Sequence, residues 1–170
     1  EAPYAFAGYG LILCGVMGDM EKGNDFGRLA QKLVEKLHAT EIEGRTVFVC
    51  NAFIRHWKEP LDGTLDELAR ASRICLDRGD FEFAALSAMV YCLHLYATGK
   101  PLEMLVHQIQ QYRAITSGIR QTIPLHVIDD YYRTALLLMG RDTDTGERSC
   151  GGNPDFQQPE SKDIMPLFHR

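Results

Sequence analysis

The chain has 170 residues, of which 45% are hydrophobic and 24% are charged, and its formal net charge is -5. This composition is that of an ordinary globular domain, so it excludes intrinsic disorder, a collagen-like repeat and a disulfide-rich miniature scaffold. The acidic balance argues against nucleic acid as a partner, because nucleic-acid-binding proteins usually present a strongly basic surface. The longest apolar runs fall far short of the ~20 residues of a membrane-spanning helix, so no membrane span is expected.

Apolar residues recur every three or four positions up to about residue 140, which predicts an all-α fold. The pattern indicates seven helices. Asp25 is the expected N-cap of the second helix, and Thr64 with Glu67 fits a capping box at the start of the fourth. The fifth helix is apolar on nearly all sides and is expected to be the most buried. The predicted spans are 4–18, 26–37, 41–58, 64–79, 81–97, 101–118 and 123–139.

The composition changes after Gly140. Residues 141–162 are rich in glycine, proline and polar residues, which predicts a long loop, and residues 163–170 regain apolar character as at the start of a further helix. The helical domain is therefore predicted over 1–140. The chain begins with Glu1 and not with Met, and we interpret it as a section of a longer protein.

Helix hairpins of similar construction recur along the chain. Aligning Phe26, Leu65 and Leu102 at the same place in the second helix of each hairpin gives steps of 39 and 37 residues. A period of 20–50 residues is typical of solenoids, although it exceeds the roughly 34 residues of a tetratricopeptide repeat. The sequence thus predicts antiparallel helix hairpins stacked as an irregular α-solenoid, in which each hairpin is stabilised by its neighbours.

Five strings carry a resemblance to a known family: YGLILCG at 9–15, FIRHWK at 53–58, GDFEFA at 79–84, YC at 91–92 and GKPL at 99–102. They resemble the tetratricopeptide-like region of large bacterial multidomain signalling kinases. In that family a serine/threonine-kinase-like domain precedes an AAA or STAND ATPase module, the helical region, a GAF sensor and often a histidine kinase.

The resemblance covers about residues 4–139. It implies a cytoplasmic, non-catalytic scaffold that relays signals between the ATPase module and the sensor and output domains of the same polypeptide. It also implies docking of a protein partner, and whether the segment forms a homodimer stays open.

The strings supply the candidate partner contacts. Arg55, His56, Trp57 and Lys58 place cationic and aromatic groups over one helical turn, where they can contact a partner, and Tyr91 comes from a further string of the resemblance. The alternative is structural: Trp57 is packed, and Arg55 is paired with an acid on the next helix.

Sequence motifs for catalysis are missing. Neither GxxxxGK[ST] nor GxGxxG occurs, and none of the six histidines lies in a recognisable phosphoacceptor motif. Asp129 and Asp130 are neighbours on a helix, so their side chains point about 100° apart and do not converge for acid–base chemistry. We therefore expect no catalytic residue and no cofactor in this segment, with a small-molecule-binding sensor or an undetected metal-dependent enzyme as the alternative.

Metal ligands are not expected either. The Cys92/His94 and Cys50/His56 spacings do not form a chelate without further ligands from distant segments. Residues 142–146 match only part of a calcium-binding loop. Of the five cysteines, the four within helical patterns are predicted to be buried, reduced thiols typical of a cytosolic protein: Cys14, Cys50, Cys75 and Cys92.

Overall fold

The computed structural model describes residues 2–141 of the chain. Every regular element over this range is helical, and this confirms the predicted all-α class there. The loop and further helix predicted beyond Arg141, the calcium-like residues 142–146 and Cys150 lie outside the described residues. The α-helices are α1 (Ala2–Gly15), α2 (Met20–Lys36), α3 (Glu43–Val49), α4 (Asp62–Asp77), α5 (Phe81–Ala97), α6 (Leu102–Gly118) and α7 (Thr122–Leu138).

Helix α3 is the middle part of a longer helical rod, which we call the α3 rod, from Thr40 to Trp57. The rod begins with a 3₁₀ turn (Thr40–Ile42), and after α3 it continues as a π-helical turn (Cys50–Ile54) and a 3₁₀ turn (Arg55–Trp57). The sequence predicted one uniform helix over 41–58. π-helical turns are rare and often occur at functional sites, and this one directly precedes Arg55.

The predicted start of the second helix is wrong. Helix α2 begins at Met20, its N-cap is Asp19, and the Asp19 carboxylate accepts a hydrogen bond of 3.0 Å from the Lys22 backbone N–H. Asp25 therefore lies inside the helix. Glycines near the start of α2 suggested a turn, but Gly23 instead allows close packing, because a Cβ there would overlap the Sγ atom of Cys14 on α1.

The predicted capping box of the fourth helix is also wrong. Helix α4 begins at Asp62, and Thr64 is fully buried inside its first turn. The Thr64 hydroxyl donates to the Leu61 carbonyl at 2.7 Å and lies 2.7 Å from His94 Nδ1 on α5. The hydroxyl is thus used in the core and not at the helix end.

Helix α5 lies at the centre of the described residues. It packs against α3, α4, α6 and α7, and nine of its 17 residues are buried. As predicted, α5 has more buried residues than any other helix of this range, although the short α3 is buried over a larger fraction, five of its seven residues. The predicted burial of Cys14, Cys50, Cys75 and Cys92 is confirmed as well. No helix within residues 2–141 is both long enough and apolar enough to cross a membrane.

Candidate functional site

A groove of about 500 Å³ opens between α2 and α4, with the α3 rod at its base. Its buried lining is apolar and includes Val34 from α2 and Val47, Cys50 and Ile54 from the rod. The Cys50 thiol donates to the Gly27 carbonyl at 3.5 Å, and burial raises the pKa of this thiol to about 12. Cys50 is therefore a neutral part of the apolar base and not a nucleophile.

Helices α2 and α4 both run antiparallel to the α3 rod, and this gives the groove two distinct ends. Lys58, after the rod, pairs with Glu21 at the start of α2. At the other end of the rod, Glu43 pairs with Arg70 in the second half of α4. We call the two ends the Arg55 end and the Glu43 end.

The Arg55 end carries two guanidinium groups and one carboxylate. Arg55 Nε donates to Glu59 Oε2 at 2.5 Å and its Nη1 donates to Asn51 Oδ1 at 3.2 Å. Arg28 Nη2 of α2 lies 3.7 Å from Glu59 Oε1. The hydrogen bond from Arg55 is the main reason why the pKa of Glu59 lies below its usual value. One positive charge at this end has no carboxylate of its own.

The Glu43 end has the opposite balance. Arg70 donates to Glu43 at 2.6 Å and to Glu67 at 2.9 Å. Glu35 also lines the groove, and it follows Arg28 by seven residues, which is ~10 Å along α2 towards this end. Burial alone would lower the pKa of Arg70. The hydrogen bonds that Arg70 donates to Glu67 and Glu43 outweigh this effect, so its pKa is raised. Three carboxylates thus face one guanidinium group.

The structure brings only one of the predicted contact residues into the groove. Arg55 lines it, whereas Lys58 pairs with Glu21 outside it. Trp57 is 50% exposed, and its Nε1 donates to the Phe53 carbonyl at 3.1 Å. The alternative in which Arg55 pairs with an acid is correct in part. Arg55 does pair with an acidic residue, Glu59, but Glu59 lies four residues further along the same segment and not on the next helix.

His56 and Tyr91 face other surroundings. The His56 ring lies 5.0 Å from the Trp57 ring and 5.9 Å from the ring of His94. Tyr91 is buried on α5, where its hydroxyl donates to Gln108 at 2.8 Å and its ring packs 4.4 Å from that of Tyr112 on α6. Tyr91 is thus covered by α6 in this structure.

The His56 ring, on the α3 rod, lies next to the His94 ring, on α5; His94 is buried and His56 is half-buried. Within residues 2–141, His56 Nδ1 is a buried atom without a hydrogen-bond partner. Burial, and secondarily the neighbouring His56, lowers the pKa of His94 to about 4. Burial also lowers the pKa of His56. His94 is therefore neutral at pH 7.

Sequence reasoning missed most of the groove. Its charged residues are spread over α2, the α3 rod and α4, and each one alone is typical of an ordinary solvated helix face. A local signal existed in the Glu67/Arg70 pair, which is three residues apart on one helix, as ion pairs often are. The charged residues of the groove that the sequence analysis did not propose as partner contacts are Arg28, Glu35, Glu43, Glu59, Glu67 and Arg70.

Two other kinds of site were considered from the sequence: an acid–base pair of aspartates and a metal site. Asp129 binds Arg113 of α6 and so belongs to an ion pair between helices. Within the described residues, no group of three or more His, Cys, Asp or Glu side chains is arranged to hold a metal ion. Comparisons of the chain with protein-family models, with curated proteins and with solved structures gave no match.

Proposed function

We propose that this chain is a non-catalytic helical-repeat scaffold that docks a segment of a protein in the groove between α2 and α4. The observation that carries the proposal is the combination of an apolar base with a charged end on either side, open between two helices. Protein interfaces commonly combine an apolar centre with a polar rim. A bound segment would cover the apolar base and contact the charged ends.

In this proposal the helices form an irregular stack of hairpins similar to tetratricopeptide repeats. The predicted hairpins α1/α2 and α3/α4 each pack together, whereas α5 and α6 of the third predicted hairpin pack less on each other than α5 packs on α4 and α6 packs on α7. The stack relays signals between an ATPase module and sensor or output domains of one polypeptide, as the resemblance to bacterial signalling kinases implies. Small changes in the packing between hairpins would shift the domains that follow.

Selection of peptides from a displayed random library tests the docking function. The groove is blocked by Gln31→Trp, because Gln31 lies between Arg28 and Glu35 on the lining of α2. The matched control is Lys32→Trp, one residue further along, which is exposed and does not line the groove. Enriched peptides should bind the wild type and the control but not Gln31→Trp. No enrichment, or equal binding to both variants, would refute groove docking.

A second candidate function is that of a small-molecule sensor, and the size of the groove favours it. Its volume of about 500 Å³ falls within the ~300–1,000 Å³ of ordinary ligand pockets. A thermal-shift screen of nucleotides, divalent ions and common metabolites separates this candidate from peptide docking. A ligand at 100 times its dissociation constant would stabilise the wild type by roughly 2.7 kcal/mol and leave Gln31→Trp unchanged.

A further inference from the structure

We infer that the docked segment is dipolar: an extended peptide with an acidic side chain at the Arg55 end of the groove and a basic side chain at the Glu43 end, with aliphatic side chains between them. The inference rests on the proposed docking function and adds the chemistry of the occupant. It follows from the unequal charges at the two ends of the groove.

At the Arg55 end, the surplus cation is accessible. Arg28 is 62% exposed at its side chain, and its 3.7 Å contact with Glu59 is longer than a hydrogen bond. Arg55 already holds the same carboxylate at 2.5 Å. An arriving carboxylate can therefore bind Arg28 while the Arg55–Glu59 pair remains intact. Guanidinium groups favour carboxylates because their planar donors match both oxygens.

At the Glu43 end, the surplus is anionic. Arg70 is shared between Glu43 and Glu67, and Glu35 is exposed. Within residues 2–141, Glu35 takes part in no ion pair, so a cation that reaches this end meets a carboxylate without a competing local partner. A lysine or arginine of the docked segment would contact Glu35 and Glu67.

The base between the ends sets the length and character of the segment. The two groups that would bind the charges of the docked segment, Arg28 and Glu35, are seven residues apart on α2, which corresponds to ~10 Å. An extended peptide rises ~3.3 Å per residue and its side chains alternate between two faces, so acidic and basic side chains about four positions apart share a face and reach both groups. Val47 and Cys50 line the groove in this interval, and these apolar groups favour an aliphatic side chain over a polar one there.

The unequal charges at the two ends of the groove also disfavour peptides with other charge patterns. A peptide with acidic residues at both ends would place one carboxylate against Glu35 and Glu67, and a peptide with basic residues at both ends would place one cation against Arg28 and Arg55. Like charges brought together at an interface suppress the wrong partner. The charge pattern therefore selects one class of segment and also fixes its direction in the groove.

Four matched probe peptides test the inference. The parent is acetyl-Asp-Ala-Leu-Ala-Arg-amide with a fluorescent label, in which Asp, Leu and Arg share one face of the extended peptide, and the other three replace Asp by Asn, Arg by Gln, or both. Fluorescence anisotropy with the full chain should give the tightest binding for the parent. Arg28→Gln should weaken only the peptides that contain Asp, and Glu35→Gln only those that contain Arg, each by about threefold to fivefold. The controls Lys32→Gln and Asp77→Asn should leave all four affinities unchanged.

The outcomes separate the dipolar inference from the docking proposal. If all four peptides bind equally well and Gln31→Trp abolishes their binding, docking stands and the dipolar inference is overturned. The dipolar inference is likewise overturned if the peptides selected from the random library lack opposite charges at their two ends. If neither the probes nor any selected peptide binds, the docking proposal itself fails. Thermal melts of each variant establish that a loss of binding is not a loss of folding.

Discussion

Gly10 and Gly23 face each other where α1 packs against α2. A Cβ on Gly10 would lie 2.8 Å from the Gly23 carbonyl oxygen, and a Cβ on Gly23 would lie 2.9 Å from the Gly10 carbonyl oxygen. The Cδ1 atom of Ile54 lies against the same place, 2.9 Å from a Cβ on Gly10. The first hairpin and the end of the π-helical turn therefore meet at a point that has no room for a side chain.

Replacement of Gly10 by alanine should consequently destabilise the protein. The added methyl group meets backbone as well as a side chain, and overpacking of this kind costs roughly 1–3 kcal/mol, which outweighs the gain in helix propensity of about 1 kcal/mol at most. The matched control is Gly8→Ala on the same helix, because a Cβ on Gly8 meets nothing within 4 Å. Urea unfolding should show Gly10→Ala less stable and Gly8→Ala at least as stable as the wild type. The reverse order would contradict this packing.

Replacement of Thr64 by valine should destabilise the core between α4 and α5. The change removes the hydroxyl that bonds the Leu61 carbonyl and lies 2.7 Å from His94 Nδ1, and it leaves buried His94 without this partner. A buried polar group that loses its hydrogen bond costs about 1–3 kcal/mol. Thr134→Val is the control, since Thr134 is exposed on α7 and its hydroxyl bonds only the Asp130 carbonyl. Equal stability of the two variants in thermal melts would argue against the buried bond.

Acidification should destabilise the protein through His94. Its pKa in the folded state, about 4, is lower than the usual value of 6.5, so the unfolded chain binds this proton more tightly. The stability that neutral His94 contributes is complete above about pH 6.5 and is lost as the pH falls towards 4. Through His94, the free energy of unfolding changes by at most about 1.4 kcal/mol per pH unit.

The contribution of His94 is measured as the difference between wild type and His94→Gln. Glutamine keeps a polar side chain and does not titrate, so the unfolding free energy of the variant should fall less between pH 6.5 and 4. Carboxylates that titrate in this range contribute equally to both proteins and cancel in the comparison. Parallel curves for the two proteins would contradict the neutral, buried state of His94.

Trp57 is the only tryptophan of the chain, and its environment can be tested by fluorescence. The residue is 50% exposed and its ring lies beside that of His56, so Trp57→Ala should lower the free energy of unfolding by less than the roughly 3–5 kcal/mol expected for a fully buried tryptophan. The wavelength of its emission maximum in the wild type should lie between the values for a buried indole and for an indole free in water. Unchanged melting of Trp57→Ala together with unchanged peptide binding would remove both its packing role and its role as a partner contact.

The sequence predicted the helix ends correctly where helix-breaking residues such as glycine lie at the ends observed in the structure. The fifth helix was predicted over 81–97 and α5 spans Phe81–Ala97, because Gly79 and Gly99, each two residues outside the helix, adopt positive φ angles of 76° and 69°. The start of α2 was misplaced because glycine signals a turn in the sequence but a close helix contact in the structure. The periodicity of apolar residues gave no sign of the π-helical turn at Cys50–Ile54, since that pattern does not record which carbonyl each backbone N–H binds.

Arg55 was the only residue of the groove that the sequence analysis proposed as a partner contact. The other charged residues come together through the antiparallel packing of α2 and α4 on either side of the α3 rod, and that packing depends on contacts between residues far apart in the chain, such as Arg70 with Glu43. Charge surplus at a site is a property of the assembled fold. No single helix of the sequence displays it.

Other surfaces of the protein offer apolar side chains to a partner. Val16 and Met17 near the end of α1 are 81% and 67% exposed, and Ile123 at the start of α7 is 78% exposed. Neither region combines an apolar base with charged ends as the groove does. Binding at either of them would be a different function from the one proposed.

The most direct test of peptide docking in the groove is an NMR titration of the ¹⁵N-labelled chain with a peptide selected from the random library. Docking in the groove predicts chemical-shift changes concentrated at the groove residues of α2, the α3 rod and α4, with Arg28, Glu35 and Val47 among them. These changes should be lost in Gln31→Trp. Shift changes concentrated instead around Val16 and Met17 or around Ile123, with the groove resonances unmoved, would contradict it.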